Sequence, residues 1–306
     1  MNHTSDRVRL YAMLGALALM WGTAFVGIKE ALRELSPSTL TILRFAIADV
    51  CLAFVLAEVP STRPRFERRD RWRVVVVAIT GVPGYHLSLN WGEQRTSASV
   101  AALIVATAPV MVALGSAAVL RERVNTRRWL GIALAFAGVA VLAFAHQPEG
   151  SSTSLAGVLV AMLAPVSWAV YTIVAKPLTE RVSSLQLTAA GMLIGSITLL
   201  PFVGGTTIRE IGDLSPGGWA WMVQLAVGSS VLGYFVFVWA LARLEATKVA
   251  VFLYAVPVVA IVSAWLILGE PLGVSVLVAA ALVIAGVVLA QQGRAERAPI
   301  GAEKAR

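Results

Sequence analysis

Apolar residues in this chain neither alternate with period two nor keep to one helical stripe. They fill unbroken runs of about 20 residues at 10–29, 38–57, 72–91, 98–120, 128–145, 155–175, 185–203, 219–242, 248–268 and 272–290. A helix needs ~20 apolar residues to cross ~30 Å of hydrocarbon. Ten such helices use roughly 200 residues at ~20 each, so no loop is left long enough for a soluble domain. The pattern predicts an all-α membrane protein of ten transmembrane helices. The 72–91 run fits least well, because Gly81, Pro83 and Gly84 can interrupt a helix there and release backbone groups.

Composition agrees with the pattern. Hydrophobic residues make up 58% of the 306 and charged residues 14%, against roughly 45–50% and 25% in soluble domains. The net charge of +8 suggests nucleic acid until position is considered. With the N-terminus inside, 20 of the 25 basic residues fall on inside segments, including Arg63, Arg65, Arg68, Arg69, Arg71 and Arg73. Only Lys29, Arg33, Arg95 and Arg209 fall outside. That bias predicts both termini in the cytoplasm of a multi-pass protein of the inner or plasma membrane. The basic residues then read as orientation signals and lipid contacts, with no nucleic-acid partner. The first run lacks a small-x-small cleavage site, so it reads as a span rather than a removable signal. Cys51 is the single cysteine and reads as packing.

The first half of the chain returns in the second. Trp21 and Lys29 match Trp168 and Lys176 at an offset of 147, and Gly84-Tyr85 matches Gly233-Tyr234 at 149. Pro109 and Pro257 match at 148, each followed by a glutamate, Glu122 or Glu270. The closing AGVAVLA from Ala137 returns as AGVVLA from Ala285. Five helices per unit is an odd number, so the second copy enters the bilayer from the opposite side. The expected units are 10–145 and 155–290, with tails 1–9 and 291–306 in the cytoplasm. Inverted repeats of this kind build many secondary transporters, with the substrate site near the midplane between halves.

The stretch APVMVALGSAAVLRERVNTRRWLGIALAFAGVAVL and its partner VPVVAIVSAWLILGEPLGVSVLVAAALVIAGVVLA resemble the two EamA-type repeats of the drug/metabolite transporter superfamily. WGTAFVGIK, LRF and TSASVAALIVATAPV fit the same pattern. One departure is LRER at 120–123, where the family has a glycine before the glutamate. The resemblance implies ten helices and export of small metabolites, often amino acids or drugs.

Ionisable groups in hydrocarbon cost several kcal/mol, so each one present needs a reason. Arg44 and Asp49 lie in one run, about 140° apart around a helix, which rules out a local ion pair. Arg44 is roughly 9 Å from the expected outer end. Either it snorkels to the interface, or it faces a cavity or pairs between helices. Asp49, near the midplane, needs a proton or a partner on another helix. His86, Asn90 and Glu93 fall on one helical stripe. Either they serve function, or His86 makes one interhelical bond and Glu93 sits in water. Asp49, His86 and Glu93 are the candidates for proton coupling, with His86 favoured over Asp49; an uncoupled facilitator is the rival.

Most tryptophans fall at span ends, where indole favours the interface. Trp21 and Trp168 are mid-span and repeat-related, Trp168 shares a face with Tyr171 and Thr172, and Tyr85, Tyr234 and Tyr254 also lie away from the ends. Such residues can line a cavity or pack against lipid. A substrate site is expected from Trp21, Arg44, Tyr85, His86, Asn90, Trp168, Tyr171, Tyr234 and Tyr254. Pro83, Pro109 and Pro257 are the candidate hinges. An aromatic cavity with few fixed charges suits an apolar or zwitterionic small molecule. No Walker loop is present, no zinc pattern and no nucleophile–base pair, so an enzyme is not expected and no cofactor is. The expected function is a secondary carrier of a small metabolite by alternating access, in export. A membrane-embedded enzyme and a structural membrane protein are the competing classes. Gly191 and Gly195 form a GxxxG packing signal.

Overall fold

The computed structural model describes residues 3–58, 66–120, 126–144, 153–179, 181–236 and 255–292. Among them there are helices and no strands. Seven stretches are long and apolar enough to cross a bilayer: Ala12–Ala31, Pro37–Glu58, Arg68–Gln94, Thr126–Phe144, Leu155–Leu178, Leu185–Phe202 and Pro216–Val236. Three shorter apolar helices, Ala98–Val112, Ala255–Leu268 and Val274–Ala290, fall in the other apolar runs. Tyr254, Trp239, Glu122 and His146 lie outside the described residues, as do Arg63 and Arg65.

The helices that frame the site are α1 (His3–Ala31), α2 (Pro37–Glu58), α3 (Arg71–Ile79), α4 (Tyr85–Gln94), α5 (Ala98–Val105) and α6 (Ala108–Leu120). They continue with α7 (Thr126–Phe144), α8 (Leu155–Ala161), α9 (Leu163–Thr179), α10 (Ser184–Ile197), α11 (Gly205–Gly212) and α12 (Pro216–Val223). The last two are α13 (Ala255–Ser263) and α14 (Val274–Gln292). Gly81, Pro83 and Gly84 do not break their helix. Thr80–Gly84 widens into a π-helical turn joining α3 to α4, because that turn accommodates a proline without its amide. A second π-helical stretch, Gln224–Leu232, follows α12 at the repeat-related position.

Hydrogen bonds between loops gather five connections at one end of the molecule. Glu34, after α1, accepts from the Ser215 amide and hydroxyl, both at 2.7 Å. Glu210 of α11 accepts from the Ser36 amide at 3.0 Å and hydroxyl at 2.9 Å. Ser215 is the N-cap of α12, and Ser36 directly precedes α2, so each carboxylate serves the start of a helix in the other half. Glu270 does the same for α5, accepting from the Ala98 amide at 2.7 Å and from Ser99. The Ser154 amide donates to the Arg95 carbonyl, 2.9 Å. The Ser215 amide and hydroxyl hold the Glu34 carboxyl below its ordinary range. Burial pushes Glu210 up, but bonds from Thr39 and Ser36 outweigh it and leave that carboxyl below its range too. Both are therefore ionised acceptors at neutral pH. At the other end Asp70 joins two connections by accepting from Arg181 at 2.8 Å and Arg73 at 2.9 Å.

The most intimate packing is between α7 and α14, which run antiparallel. A Cβ on Gly131 would strike the Ala290 amide and lie 2.5 Å from the Gly286 carbonyl, and a Cβ on Gly138 would lie 3.0 Å from the Ala279 carbonyl. Shifting each residue number by 148 exchanges the two contacts: Gly131 with Gly286 becomes Ala279 with Gly138. The seam is thus related to itself by a local twofold. Elsewhere a Cβ on Gly195 of α10 would lie 2.5 Å from Val82, whereas one on Gly191 would meet only Val77, at 3.9 Å. Of the expected GxxxG, only one glycine lies at a close contact.

Candidate functional site

A cavity of about 200 Å³ lies between the two halves. It exceeds the ~150 Å³ that holds benzene in an engineered core, so an amino-acid-sized molecule fits. Trp21 and Phe25 of α1, Arg44 of α2, Tyr85 and His86 of α4 and Trp168 of α9 line it. Ser229 and Tyr234, near the second π-helical stretch, complete the polar and aromatic wall. Pro109 and Pro257 also face it, Pro109 in the first turn of its helix: α5 ends at Val105, and α6 begins three residues on, at Ala108.

The aromatic wall is continuous. Trp21 meets Tyr234 edge-on at 5.9 Å between ring centroids, Tyr234 meets Trp168 at 6.4 Å, and Trp168 meets Tyr85 at 5.5 Å. Tyr85 reaches His86 at 4.8 Å, and His86 reaches Phe45 at 4.8 Å. Such pairs contribute ~0.5–1.5 kcal/mol each beyond area burial, enough to hold the rings in place. Tyr171 does not line the cavity. It stacks behind Trp168 at 5.0 Å and presses on Gly81, whose Cβ would lie 2.8 Å from its ring. The π-helical turn and the missing side chain at Gly81 together make room for that ring.

The second π-helical stretch fixes the facing wall. The Trp21 indole donates to the Ser229 carbonyl at 3.0 Å, and Gln224 donates to the Met20 carbonyl and to the Thr23 and Ser229 hydroxyls. Gly233 sits directly against the Trp21 ring. A π-helical turn displaces side chains from the regular helical register. Gln224 and Ser229 consequently come together five residues apart.

Arg44 does not snorkel. It is 5% exposed, faces the cavity, and donates from Nε to the Ser230 hydroxyl at 2.9 Å. It forms no ion pair among the described residues, and no acidic residue lines the cavity. Its charge faces aromatic walls and empty volume.

Other candidates fall elsewhere. Asn90 is fully buried behind the cavity and donates to the Thr41 hydroxyl at 2.9 Å. Both ring nitrogens of His86 are buried with no hydrogen-bond partner, so the interhelical bond considered for it is not formed. Glu93 is 0% exposed, not in water at the loop. Asp49 is half-buried beside the Ser196 hydroxyl and lines no part of the cavity. Pro83 lies in the π-helical turn. Reading the sequence overlooked Gln224, Ser229 and Ser230. An uncharged polar cluster inside an apolar run was the signal available. Lys29, expected in the outer segment, donates from its ammonium to the Glu93 and Thr96 carbonyls at 2.9 and 2.6 Å.

Known proteins resemble the chain over nearly its whole length. The model of the EamA-like transporter family matches residues 9–144 and again 155–291. An uncharacterized transporter of Archaeoglobus fulgidus is 33% identical over 94% of this chain and 100% of its own. A probable terminal-alkyne amino-acid exporter of Streptantibioticus cattleyicolor is 34% identical over 88% of this chain and 89% of its own. A crystal structure 22% identical shares the fold, with a TM-score of 0.61 over 93% of this chain and 97% of that one.

Proposed function

The chain belongs to the EamA-like transporter family, a multi-pass membrane transporter and not an enzyme, and from this premise we propose that it exports a small amino acid or related carboxylate by alternating access. The observation that carries the substrate class is Arg44. A guanidinium with no ion-pair partner among the described residues, at the wall of an aromatic cavity that no acid lines, matches a carboxylate head with an apolar body. The aromatic arc from Trp21 to His86 would enclose that body, and the tyrosine hydroxyls would meet the ammonium group. The printed name of the Streptantibioticus relative, an amino-acid exporter, supports the same class.

The transporter is read as ten spans in two inverted units, 10–145 and 155–290. The local twofold between α7 and α14 and the paired π-helical turns support that reading. Both termini are assigned to the cytoplasm of the plasma membrane, and the end carrying Glu34 and Glu270 to the outside. The structure is then closed outward by the loop bonds and accessible from within. Proton exchange is the proposed energy source, and a facilitator with the same cavity is the alternative.

Thermal unfolding of the purified protein tests the substrate class. A ligand at about 100 times its Kd stabilises the folded state by ~2.7 kcal/mol. L-Phenylalanine and L-propargylglycine, a terminal-alkyne amino acid, are expected to raise the Tm, and phenethylamine, which lacks the carboxylate, is not. An equal shift from the amine would sink the carboxylate reading.

A further inference from the structure

One face of α4 holds a column of buried polar atoms without hydrogen-bond partners. His86 opens onto the cavity with both ring nitrogens unpartnered, Asn90 follows with an unpartnered Oδ1, and Glu93 ends the column with both carboxyl oxygens unpartnered. Their spacing of four and three residues stacks them over roughly 10 Å. All three are at most 3% exposed. We infer that Glu93 is the proton-carrying site of the transporter, loading and releasing its proton through the Asn90–His86 face of α4 and the cavity. This rests on the reading of the chain as a carrier.

The surroundings of Glu93 fit a carboxyl group that is neutral in the closed state. An ionised carboxylate buried without partners is so costly that it takes up a proton instead. The nearest cation, Lys29 on α1, is held by the Glu93 and Thr96 backbone carbonyls, beside the carboxyl group and not on it. Arg44 on α2 and Glu270 before α14 are the other charged groups acting on it. Of the remaining helices packed against α4, α5 and α8 carry no titratable residue, and Tyr171 of α9 meets Gly81, at the far end of the helix pair. The column leads from Glu93 to the cavity at His86.

The step is a simple proton exchange. When the outer end parts, Lys29 and the α4–α5 loop separate and water reaches the carboxylate, which gains one proton and becomes the acid. After closure the dry site keeps the acid form. When substrate enters from within and water fills the cavity, the proton passes along Asn90 and His86 and leaves inward, and the carboxylate stays until the next outward opening. No bond other than O–H forms or breaks. Outward movement of one substrate molecule is thereby tied to inward movement of one proton. Asp49 plays no part, since it lines neither the cavity nor the column.

Two measurements test this. Infrared spectra of purified protein at neutral pH are expected to show a protonated-carboxyl band that shifts with 13C-glutamate labelling and is missing in Glu93→Gln. Vesicles of the reconstituted protein, with an acid interior and the membrane potential clamped at zero, are expected to accumulate L-phenylalanine. For one-for-one exchange the accumulation approaches about tenfold per pH unit. Glu93→Gln should exchange labelled for unlabelled phenylalanine at equilibrium but accumulate none. Absence of the band in the wild type, its persistence in Glu93→Gln, or gradient-driven accumulation by Glu93→Gln each overturns the inference. Wild-type transport that ignores the gradient also overturns it and leaves the carrier reading standing. If the wild type moves no phenylalanine, that substrate fails, and the infrared band still decides whether Glu93 holds a proton.

Discussion

Gly131→Leu and Gly286→Leu are each expected to yield almost no monodisperse protein. A Cβ at Gly286 would lie 2.5 Å from the Ala135 amide nitrogen and 2.6 Å from the Gly131 carbonyl, and one at Gly131 would strike the Ala290 amide. These neighbours are backbone, so no rotamer change relieves the overlap. The helices must separate, and the seam between α7 and α14 then loses its close van der Waals packing, the main source of helix association in lipid. Overpacking a core costs ~1–3 kcal/mol, and more where nothing yields. Whole domains have only ~5–15 kcal/mol of stability. Gly15→Leu is the control, since a Cβ there meets nothing within 4 Å. Size-exclusion profiles of the three variants after identical expression decide the matter. A Gly131→Leu peak as sharp and tall as that of Gly15→Leu would show that the seam tolerates being widened.

Arg44→Ala is expected to cut the stabilisation by L-phenylalanine to about half or less at concentrations that saturate the wild type. A hydrogen bond to a charged group contributes ~1.5–3 kcal/mol, equivalent to roughly ten- to 150-fold in Kd. Arg44→Lys keeps the charge but loses the planar fork, and should fall between the two. The basal Tm need not drop with the ligand response, because among the described residues Arg44 makes a single side-chain hydrogen bond, to Ser230. Titration of L-phenylalanine against the Tm of each variant checks the order. If Arg44→Ala keeps the wild-type midpoint, the guanidinium does not hold the carboxylate.

The apolar runs were legible because burial in lipid demands them whatever the neighbours. The aromatic residues of the cavity were legible for a related reason: an indole or phenol in mid-span is unusual, and repetition singled out Trp21 and Trp168. Helical periodicity gave Arg44 and Asp49 their angular separation but not the element each would face, which depends on helix rotation. Hence Arg44 could not be assigned to cavity or interface, while the structure turns it to Ser230. Neither of the two π-helical stretches beside the cavity follows from local propensity; a ring packs at each, Tyr171 against Gly81 and Trp21 against Gly233 at the end of the second. The α7–α14 seam was in plain view as the repeated AGVAVLA and AGVVLA. Their likeness reads as ancestry until the structure brings the two copies into contact. The GxxxG of Gly191 and Gly195 drew attention by spacing alone, and spacing does not reveal which helix lies opposite.

The carboxylates that bridge the loops at the Glu34 end are placed where water can replace them. Glu34 is exposed, and when its bonds to Ser215 part, solvent takes over both partners. A hydrogen bond exchanged for water differs by only ~0.5–1.5 kcal/mol. The seven bonds that Glu34, Glu210 and Glu270 accept from Ser215, Ser36, Ala98 and Ser99, at the low end of that range where water replaces them, separate the closed and open forms by a few kcal/mol, a gap that leaves ~0.1–10% of molecules in the minor form. The outward-open form is then present before any substrate arrives, and substrate selects it rather than forcing it. Spin-label distances between the 31–37 and 202–216 loops, measured without ligand, should contain that minority as a second, longer component.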